Sequence, residues 1–479
     1  MSTFRVHQVR LGLATNSSST HSILILPGGT KDKDAGGDFG WGFFTAATKE
    51  SKGLYAALQL RYALRSVASE DVAHAVVESW TGIELADPNT YEQYIDHQST
   101  WALPCSWDGK GIDKEFFDDL HAFLMRDDVL VLGGNDNTSK RHPLTKKPGA
   151  ESVRFGLPLE ESSKNLACRK DHVGGYWAIF HRETGTKIRM SFGGGNGGTV
   201  TPSKAHAPEL VDLKITDWCG AGCPACYQDS TTKGVHGDRG AVEDVIYALG
   251  KLKVFEVAIG GGEPTAHPHF VDFLRACRAR GIVPNFTTKA KAWLHDHKRR
   301  QAILEHTGAF AFSIDNAADL DEIASARDTY GIPDAKVNCQ VVMGLLDEHE
   351  FEEVLEHAAA RRMRVTLLGY KTNGRGAQVE PKDYSGWVKT LKDVHARTKY
   401  GLRVGIDTAL ALEYQGQLDA IGVPKWCYEV KEGSFSMYID AVTMKTARSS
   451  YGEALAMRPL KTRGYRLDEE IVSHFAEYV

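Results

Sequence analysis

Three cysteines lie close together in the sequence, at Cys219, Cys223 and Cys226. Their spacing is C-x3-C-x2-C, and we call residues 217–227 the cysteine loop. Thiolates are the usual protein ligands of iron–sulfur clusters, and three of them on one short loop can hold a four-iron cluster while leaving one iron open. Gly220 and Gly222 would let the backbone wrap closely around it. The pattern predicts a [4Fe–4S] cluster whose open iron can bind a small molecule.

A second motif is a glycine-rich run that follows a strand-like segment at 254–259. The run consists of Gly260, Gly261, Gly262, Glu263 and Pro264. Glycines at a strand end leave backbone N–H and C=O groups open to a ligand. The cysteine loop also follows a strand-like segment, at 210–216. Because functional loops of (β/α) barrels lie at the carboxyl ends of their strands, we expect the two motifs to lie side by side.

Short apolar runs alternate with helical patterns from about residue 205 to 412, which predicts βαβ units and a parallel sheet. The expected strands are 210–216, 254–259, 283–288, 309–315, 336–342, 364–370 and 402–407. Each strand alternates apolar and polar residues, so it has one apolar and one polar face. The polar-face residues include Asp212, Lys214, Glu256, Asn285, Ser313, Asn338, Gln340, Thr366, Arg403 and Asp407. The expected fold is α/β, a partial (β/α) barrel with a polar, ligand-filled lumen.

Three regions are expected along the chain. Residues 1–204 read as an N-terminal α+β domain of unknown role, with helical patterns and a hairpin signal around Glu183-Thr184-Gly185. Residues 205–412 form the barrel. Residues 413–479 form a small C-terminal cap with a hairpin around Asp440-Ala441 and a final helix.

Composition narrows the class of protein. The chain has 479 residues, 42% hydrophobic and 25% charged, with a formal net charge of −5, which is ordinary for a globular protein and too acidic for a typical duplex-binding protein. The N-terminus has no signal-peptide pattern, and no apolar run is long enough to span a bilayer. We therefore expect a cytoplasmic protein without membrane contact. Eight cysteines in such a compartment favour a metal site over disulfides.

The cysteine loop and the glycine-rich strand end together resemble the radical S-adenosylmethionine (SAM) superfamily, over roughly residues 205–412. The resemblance implies an enzyme with two cofactors, a [4Fe–4S] cluster on Cys219, Cys223 and Cys226 and S-adenosylmethionine on the open iron. Reductive cleavage of the sulfonium would give methionine and a 5′-deoxyadenosyl radical, which takes hydrogen from the substrate. An external electron donor such as flavodoxin or ferredoxin would supply the electron.

The resemblance also implies which residues contact S-adenosylmethionine. The backbone and side chain of the Gly260–Glu263 run, Gly261, Gly262 and Glu263 above all, would hold the methionine amino group. Positions on the polar strand faces would hold the ribose and carboxylate, and a later strand end would line the adenine. The remaining expected contacts are Ser313, Asn338, Gly369 and Tyr370. One departure is Ala225, where family members often have an aromatic residue, and Tyr227 is the aromatic residue expected to compensate.

The C-terminal region resembles a degenerate form of the extension found in peptide-maturing members of the superfamily. Trp426-Cys427 matches its start, but Arg448-Ser449-Ser450 stands where a later cysteine would be expected. The resemblance therefore implies a substrate cap without a second cluster. Cys427 or a nearby tyrosine is a candidate hydrogen-atom donor.

Several alternatives stay open at this stage. The substrate is expected to be a peptide or a small metabolite, and a nucleoside or nucleic acid is the rival class. A basic groove would favour the rival, and it would run from the barrel mouth to Lys289, Lys291, Lys298, Arg299 and Arg300. A structural zinc site with His236 as the fourth ligand, or a non-catalytic iron–sulfur module, is the alternative from another class.

Overall fold

The structure is a computed structural model, and the part of the chain that it describes comprises fourteen segments. They are residues 5–10, 22–25, 33–35, 39, 43–86, 95, 100–133, 151–153, 163–192, 202–398, 401–423, 428, 430–451 and 457–478. The chain divides into two compact units, residues 1–202 and 203–479. Within the described segments, no helix is both long and apolar enough to cross a membrane.

The first unit contains antiparallel sheets and three helices. Its elements are β1 Arg5–Arg10, β2 Ser22–Ile25, β3 Phe44–Ala46, α1 Lys49–Leu64, α2 Glu70–Thr81, α3 Lys114–Leu124, β4 Val129–Gly133, β5 Glu151–Val153, β6 Leu166–Asp171, β7 Tyr176–His181 and β8 Lys187–Ser191. One sheet has the order β1-β8-β7-β6 and the other β3-β4-β2-β5. Thr48 and Asp113 cap α1 and α3 by accepting hydrogen bonds from backbone N–H groups. The unit is the α+β arrangement expected, and β7–β8 is the expected hairpin.

The second unit is built on one ten-stranded sheet with the order β15-β14-β13-β12-β11-β10-β9-β16-β17-β18. Its strands are β9 Leu210–Thr216, β10 Glu256–Gly261, β11 Val283–Thr288, β12 Phe310–Ser313, β13 Val337–Val342, β14 Arg364–Leu368, β15 Arg403–Ile406, β16 Ser436–Asp440, β17 Lys445–Ala447 and β18 Arg458–Pro459. Neighbouring strands from β15 to β16 are parallel, and β17 and β18 are antiparallel. This mostly parallel sheet with helical connections confirms the predicted fold class.

In the described part of this unit, helices connect the parallel strands, and a last helix follows β18. They are α4 Arg239–Lys251, α5 Phe270–Arg278, α6 Ala292–His295, α7 His297–His306, α8 Ala317–Thr329, α9 Glu348–Arg361, α10 Trp387–Arg397, α11 Thr408–Glu413, α12 Gln415–Ala420 and α13 Leu467–Glu477. Asp296 separates α6 from α7, because its side chain accepts a hydrogen bond from Arg299 N–H and so begins a new helix.

Several strands of the barrel alternate buried and half-buried residues. In β13, Val337, Cys339 and Val341 are buried, whereas Asn338 and Gln340 between them are half-buried. The same alternation recurs in β14 and in the first half of β9. The apolar faces supply the core, and the polar faces line an inner space that we call the lumen.

Strands β16 to β18 extend the barrel sheet. Met437 of β16 lies beside Val211 of β9, in parallel register. The C-terminal region therefore supplies strands directly beside the strand that leads into the cysteine loop. The three-part division of the chain at residues 204 and 412 stays a prediction.

Candidate active site

The cysteine loop starts where β9 ends, and the segment 231–236 pairs with its first residues. Thr216 and Trp218 form β-bridges with His236 and Thr231. The backbone N–H of Cys219 also donates to Thr231 O at 3.0 Å. Cys219, Cys223 and Cys226 are free and only half-buried, so the loop presents three accessible thiols within eight residues at one strand end.

Charged and polar groups lie close to two of these thiols. Burial raises the pKa of Cys219, a hydrogen bond from Ala221 N–H opposes this, and Glu263 raises it further. The Lys289 ammonium lies 3.4 Å from Cys223 Sγ and 2.5 Å from an oxygen of Asp315. Burial alone would lower the pKa of Lys289, but the bonds to Asp315 and Cys223 raise it, so a fixed positive charge lies beside the second thiol.

The glycine-rich run lies directly against the cysteine loop. Gly262 N–H donates to Thr216 O at 2.7 Å, and Glu263 N–H donates to Trp218 O at 2.8 Å. A Cβ at Gly262 would lie 2.1 Å from Trp218 O, and Gly261 has a φ of +108°, which disfavours any side chain. The approach of the two backbones therefore requires glycine. A Cβ at Gly260 would meet open space, so this residue faces the lumen.

The Glu263 carboxylate is buried and accepts five hydrogen bonds. Oε1 accepts from Thr265 N–H, Thr265 Oγ1 and Thr288 Oγ1, and Oε2 accepts from the backbone N–H groups of Lys289 and Ala290. A carboxylate offers about four lone-pair sites, so this one is saturated within the protein. The side chain links the ends of β10 and β11, which leaves the backbone of the run to face a ligand. Nothing in the sequence marked Thr288 as its partner.

Two other expected contacts lie on the polar strand faces. Ser313 ends β12 and is half-buried. Asn338 donates from Nδ2 to Thr366 Oγ1 at 2.7 Å, whereas its Oδ1 is buried and has no hydrogen-bond partner among the described residues. A buried acceptor without a partner costs free energy, and a ligand that donates a hydrogen bond would offset that cost.

Gly369 and Tyr370 follow β14 and are engaged with neighbouring loops. Gly369 N–H donates to Asp407 Oδ1, and the Tyr370 hydroxyl donates to the carbonyls of Gly376 and Val379. Burial raises the pKa of Tyr370. The Tyr370 hydroxyl therefore holds the 376–379 segment in place, which the sequence did not indicate.

A charged cluster lies across the lumen, and we call it the lumen cluster. It consists of Asp212, Lys371, Asp407, Glu432 and Tyr451, whose charges interact with one another. Asp212 is on β9 and Asp407 follows β15, at opposite ends of the run of seven barrel strands. Their interaction shows that the sheet curls to enclose the lumen.

The contacts within the lumen cluster centre on Lys371. Its ammonium lies 4.8 Å from the ring centroid of Tyr227, 4.5 Å from that of Tyr451, and 3.6 Å from an oxygen of Asp407. Tyr451 donates from its hydroxyl to Glu432 at 2.6 Å. Tyr227 therefore contacts Lys371 through its ring face, in a cation–π arrangement.

Burial and like charges shift the pKa values of this cluster. Burial, together with Glu432, raises the pKa of Asp212 to about 7, although Lys371 opposes the shift. Burial also raises the pKa of Glu432. Burial alone would lower the pKa of Lys371, but Tyr227, Asp407 and Asp212 raise it. Asp212 and Asp407 belong to the predicted polar faces. Lys371, Glu432 and Tyr451 carried no signal in the sequence, because only the fold brings them together.

Cys427 lies outside the described residues. Across the described segments, no three His, Cys, Asp or Glu side chains converge closely enough to hold one metal ion in common. In a four-iron cluster each thiolate binds a different iron, so convergence on a single point is not required of the cysteine loop.

Comparison with known proteins identifies the region around this site. Residues 213–409 match the family model described as the Radical SAM superfamily. Two mycofactocin maturases called MftC are similar to the chain, at 23% identity over 188 residues for that of Mycolicibacterium smegmatis and 27% over 201 residues for that of Mycobacterium ulcerans. Each alignment covers 36% of this chain, and 47% and 50% of the two maturases. The chain thus spans about half the length of these relatives.

Solved structures also resemble the chain. SuiB of Streptococcus suis, bound to the precursor peptide SuiA, has 13% identity and a TM-score of 0.44, covering 58% of this chain and 66% of SuiB. The protein anSMEcpe with bound AdoMet and a peptide has 14% identity and a TM-score of 0.41, covering 56% and 83%. The family match confirms the resemblance predicted from the cysteine loop and the glycine-rich run.

Proposed function

From the radical SAM domain at residues 213–409, we infer that the chain is an enzyme that binds one [4Fe–4S] cluster and S-adenosylmethionine at the cysteine loop. When bound, these cofactors supply reductive cleavage of the sulfonium and a carbon radical that removes hydrogen from a substrate. The observation that carries the proposal is the direct backbone contact between the cysteine loop and the glycine-rich run, at the ends of neighbouring strands β9 and β10.

The residues of the site fit the cluster. Cys219, Cys223 and Cys226 supply three thiolates, the ligand type that iron–sulfur clusters use, from one accessible loop. The Lys289 ammonium lies within hydrogen-bonding distance of Cys223 Sγ, at 3.4 Å. A closed zinc site would need a fourth ligand, and the expected candidate His236 directs Nδ1 to the Thr216 hydroxyl at 2.8 Å.

The site also offers the groups that S-adenosylmethionine needs. We propose that the backbone of Gly260, Gly261 and Gly262 holds the methionine amino group, while Glu263 fixes the position of the run. Asn338, with its buried and unpartnered Oδ1, is our candidate for a ligand hydroxyl. The further proposed contacts are Ser313, Tyr227, Gly369 and Tyr370.

We propose a peptide substrate that enters the lumen, with a small metabolite as the alternative. The word maturase in the name of the two relatives implies modification of a precursor. The lumen cluster contains positively and negatively charged side chains close to one another, and such a surface suits a polar substrate. We further propose that an external flavodoxin or ferredoxin delivers the electron.

A nucleic-acid substrate receives less support, because four of the five basic residues that would form its groove are engaged elsewhere. Lys289 pairs with Asp315, and Lys291 pairs with Asp319 and Glu322. Arg299 and Arg300 donate to the backbone carbonyls of Thr265 and Leu294. Phosphate groups would have to compete with these partners.

The test is anaerobic reconstitution with iron and sulfide, followed by S-adenosylmethionine, dithionite and mass spectrometry for 5′-deoxyadenosine. We expect product from the wild type and none from Cys223→Ala, while Cys277→Ala, which removes a buried core thiol, keeps the product. A colourless protein that retains stoichiometric zinc would refute the proposal. A well-formed cluster that never yields product, with or without peptide, would support the non-catalytic module instead.

A further inference from the structure

The segment that follows β14 contacts the cysteine loop, although β14 and β9 are five places apart in the sheet. Arg375 makes this connection with four hydrogen bonds. Its backbone N–H donates to Cys226 O at 3.0 Å, and Nε donates to Cys223 O at 3.1 Å. The two remaining guanidinium nitrogens donate to Ser230 O at 3.0 Å and to Asp229 Oδ1 at 2.8 Å. Two of the three cysteines thus have their carbonyls held by one residue.

The residues on either side of Arg375 are shaped for this contact. Gly374 has a φ of +52°, and a Cβ there would lie 2.7 Å from Tyr227 O and 2.8 Å from Cys226 O. A Cβ at Gly376 would lie 2.3 Å from Lys371 O. A side chain at Gly374 would push the segment away from the loop, and a side chain at Gly376 would disturb the turn that brings Arg375 to the loop, so both glycines serve this close approach.

We propose that Arg375 is a positioning residue that fixes the backbone of the cysteine loop, so that the thiols of Cys223 and Cys226 are held in place before any iron binds. The inference rests on the proposed function, because it gives those thiols a cluster to hold. The planar guanidinium is suited to this role, since its donors point in fixed directions and can reach three acceptors at once. A lysine would keep the charge but present one compact donor group.

The first experiment measures backbone hydrogen exchange in the cluster-free protein, so it does not depend on cofactor. Arg375→Met should raise the exchange rate of the 217–231 segment roughly tenfold, because several hydrogen bonds to a charged group are lost. Exchange in α4, the next helix along the chain, should not change. The matched control is Arg397→Met, which removes an exposed arginine that pairs with Glu352 and Glu356 on the outer helices. Unchanged exchange in 217–231 would overturn the proposal.

The second experiment measures iron retention and cluster potential after reconstitution. Arg375→Met should lose iron to a chelator roughly tenfold faster than the wild type, in line with the effect of residues that orient metal ligands. Arg375→Lys should keep the midpoint potential of the wild type yet still show fast exchange and fast iron loss. If Arg375→Lys restored all three properties, charge rather than position would be the cause, and the proposal would be overturned.

A third variant keeps the test decisive if Arg375→Met does not fold. Asp229→Asn removes only the charge of the carboxylate that pairs with Arg375. It should also raise the exchange rate of the 217–231 segment, by a smaller factor than Arg375→Met. No rise in that variant would count against the proposal. If the wild type took up no cluster at all, the proposed function would fail, while the exchange measurements would still decide the role of Arg375.

Discussion

The strands of the first unit and those of the barrel bury their side chains differently. All six residues of β7 and all five of β4 are buried, so these strands are packed on both faces. In β13 and β14 every second residue is buried, and those between are half-buried. A strand packed on both faces contributes mainly to stability. A strand that keeps one polar face can also contact a ligand. The half-buried positions of β13 and β14 are therefore available to the site.

The largest effect expected from this comparison is on stability. Phe180→Ala in β7 should lower the free energy of unfolding by about 3–5 kcal/mol, because it removes a fully buried ring and leaves a cavity. Gln340→Ala, on the polar face of β13, should change it by roughly 0.5 kcal/mol or less. Urea unfolding of both variants checks the difference. Equal losses would show that the lumen face is packed as tightly as the first unit.

Next in size is the effect of placing a methyl group between the glycine-rich run and the cysteine loop. Gly262→Ala places a methyl group against Trp218 O, so the glycine-rich run and the cysteine loop must separate. We expect roughly hundredfold slower formation of 5′-deoxyadenosine, the cost of displacing a reacting group by about 1 Å. Gly416→Ala is the control, since its Cβ would meet open space. A Gly262→Ala enzyme with wild-type rates would show that the contact is incidental.

A smaller effect concerns the dependence of stability on pH. The pKa of Asp212 is raised to about 7 in the folded protein, above its ordinary value of 3.8. The folded state therefore binds more protons than the unfolded state between these values, and stability falls as pH rises through that window. Asp212→Asn should remove about 1–2 kcal/mol of this fall in the free energy of unfolding. This is the size expected for one buried carboxylate whose charge a neighbouring lysine partly compensates.

Thermal unfolding of Asp212→Asn from pH 4.5 to pH 8 measures this effect. The variant should gain stability relative to the wild type as pH increases. Asp393→Asn, on the exposed face of α10, serves as the control because its pKa is lowered by Lys389 instead. A parallel pH profile for Asp212→Asn and the wild type would contradict the expected role of Asp212.

The smallest effect expected is on the reduction potential of the cluster. Lys289→Met removes the positive charge beside Cys223. The loss of this charge favours the more oxidised state of a cluster bound there. The midpoint potential should become more negative by roughly tens of millivolts, because net charge near a cluster sets its potential. Lys389→Met, paired with Asp393 on α10, should leave it unchanged. A redox titration followed by electron paramagnetic resonance distinguishes the two.

The sequence predicted the parts of the site that local pattern determines. The alternation of apolar and polar residues gave seven barrel strands, and the spacing of cysteines and glycines gave the two motifs. Contacts between distant segments were missed. The hydrogen bonds from Arg375 to the cysteine loop were not predicted, and Lys371, Glu432 and Tyr451 were not expected together, because each comes from a different loop. Glu263 was expected at the ligand, whereas its carboxylate is saturated by hydrogen bonds within the protein; which atoms meet the ligand stays a prediction.

The position of β16 was also beyond local pattern. Its hairpin with β17 was expected and is present, but its pairing with β9 depends on the closed sheet. No periodicity in residues 436–440 distinguishes a strand that joins the barrel from one in a separate cap.

The pairing of β9 with β16 has a consequence for synthesis. The two strands are more than two hundred residues apart in the chain, so during synthesis one edge of β9 lacks its partner until the residues of β16 have also been made. Long-range parallel pairing of this kind slows folding and leaves an unpaired strand edge open to aggregation in the meantime. Loading of iron at the loop that follows β9 would then come late, after the C-terminal strands have docked.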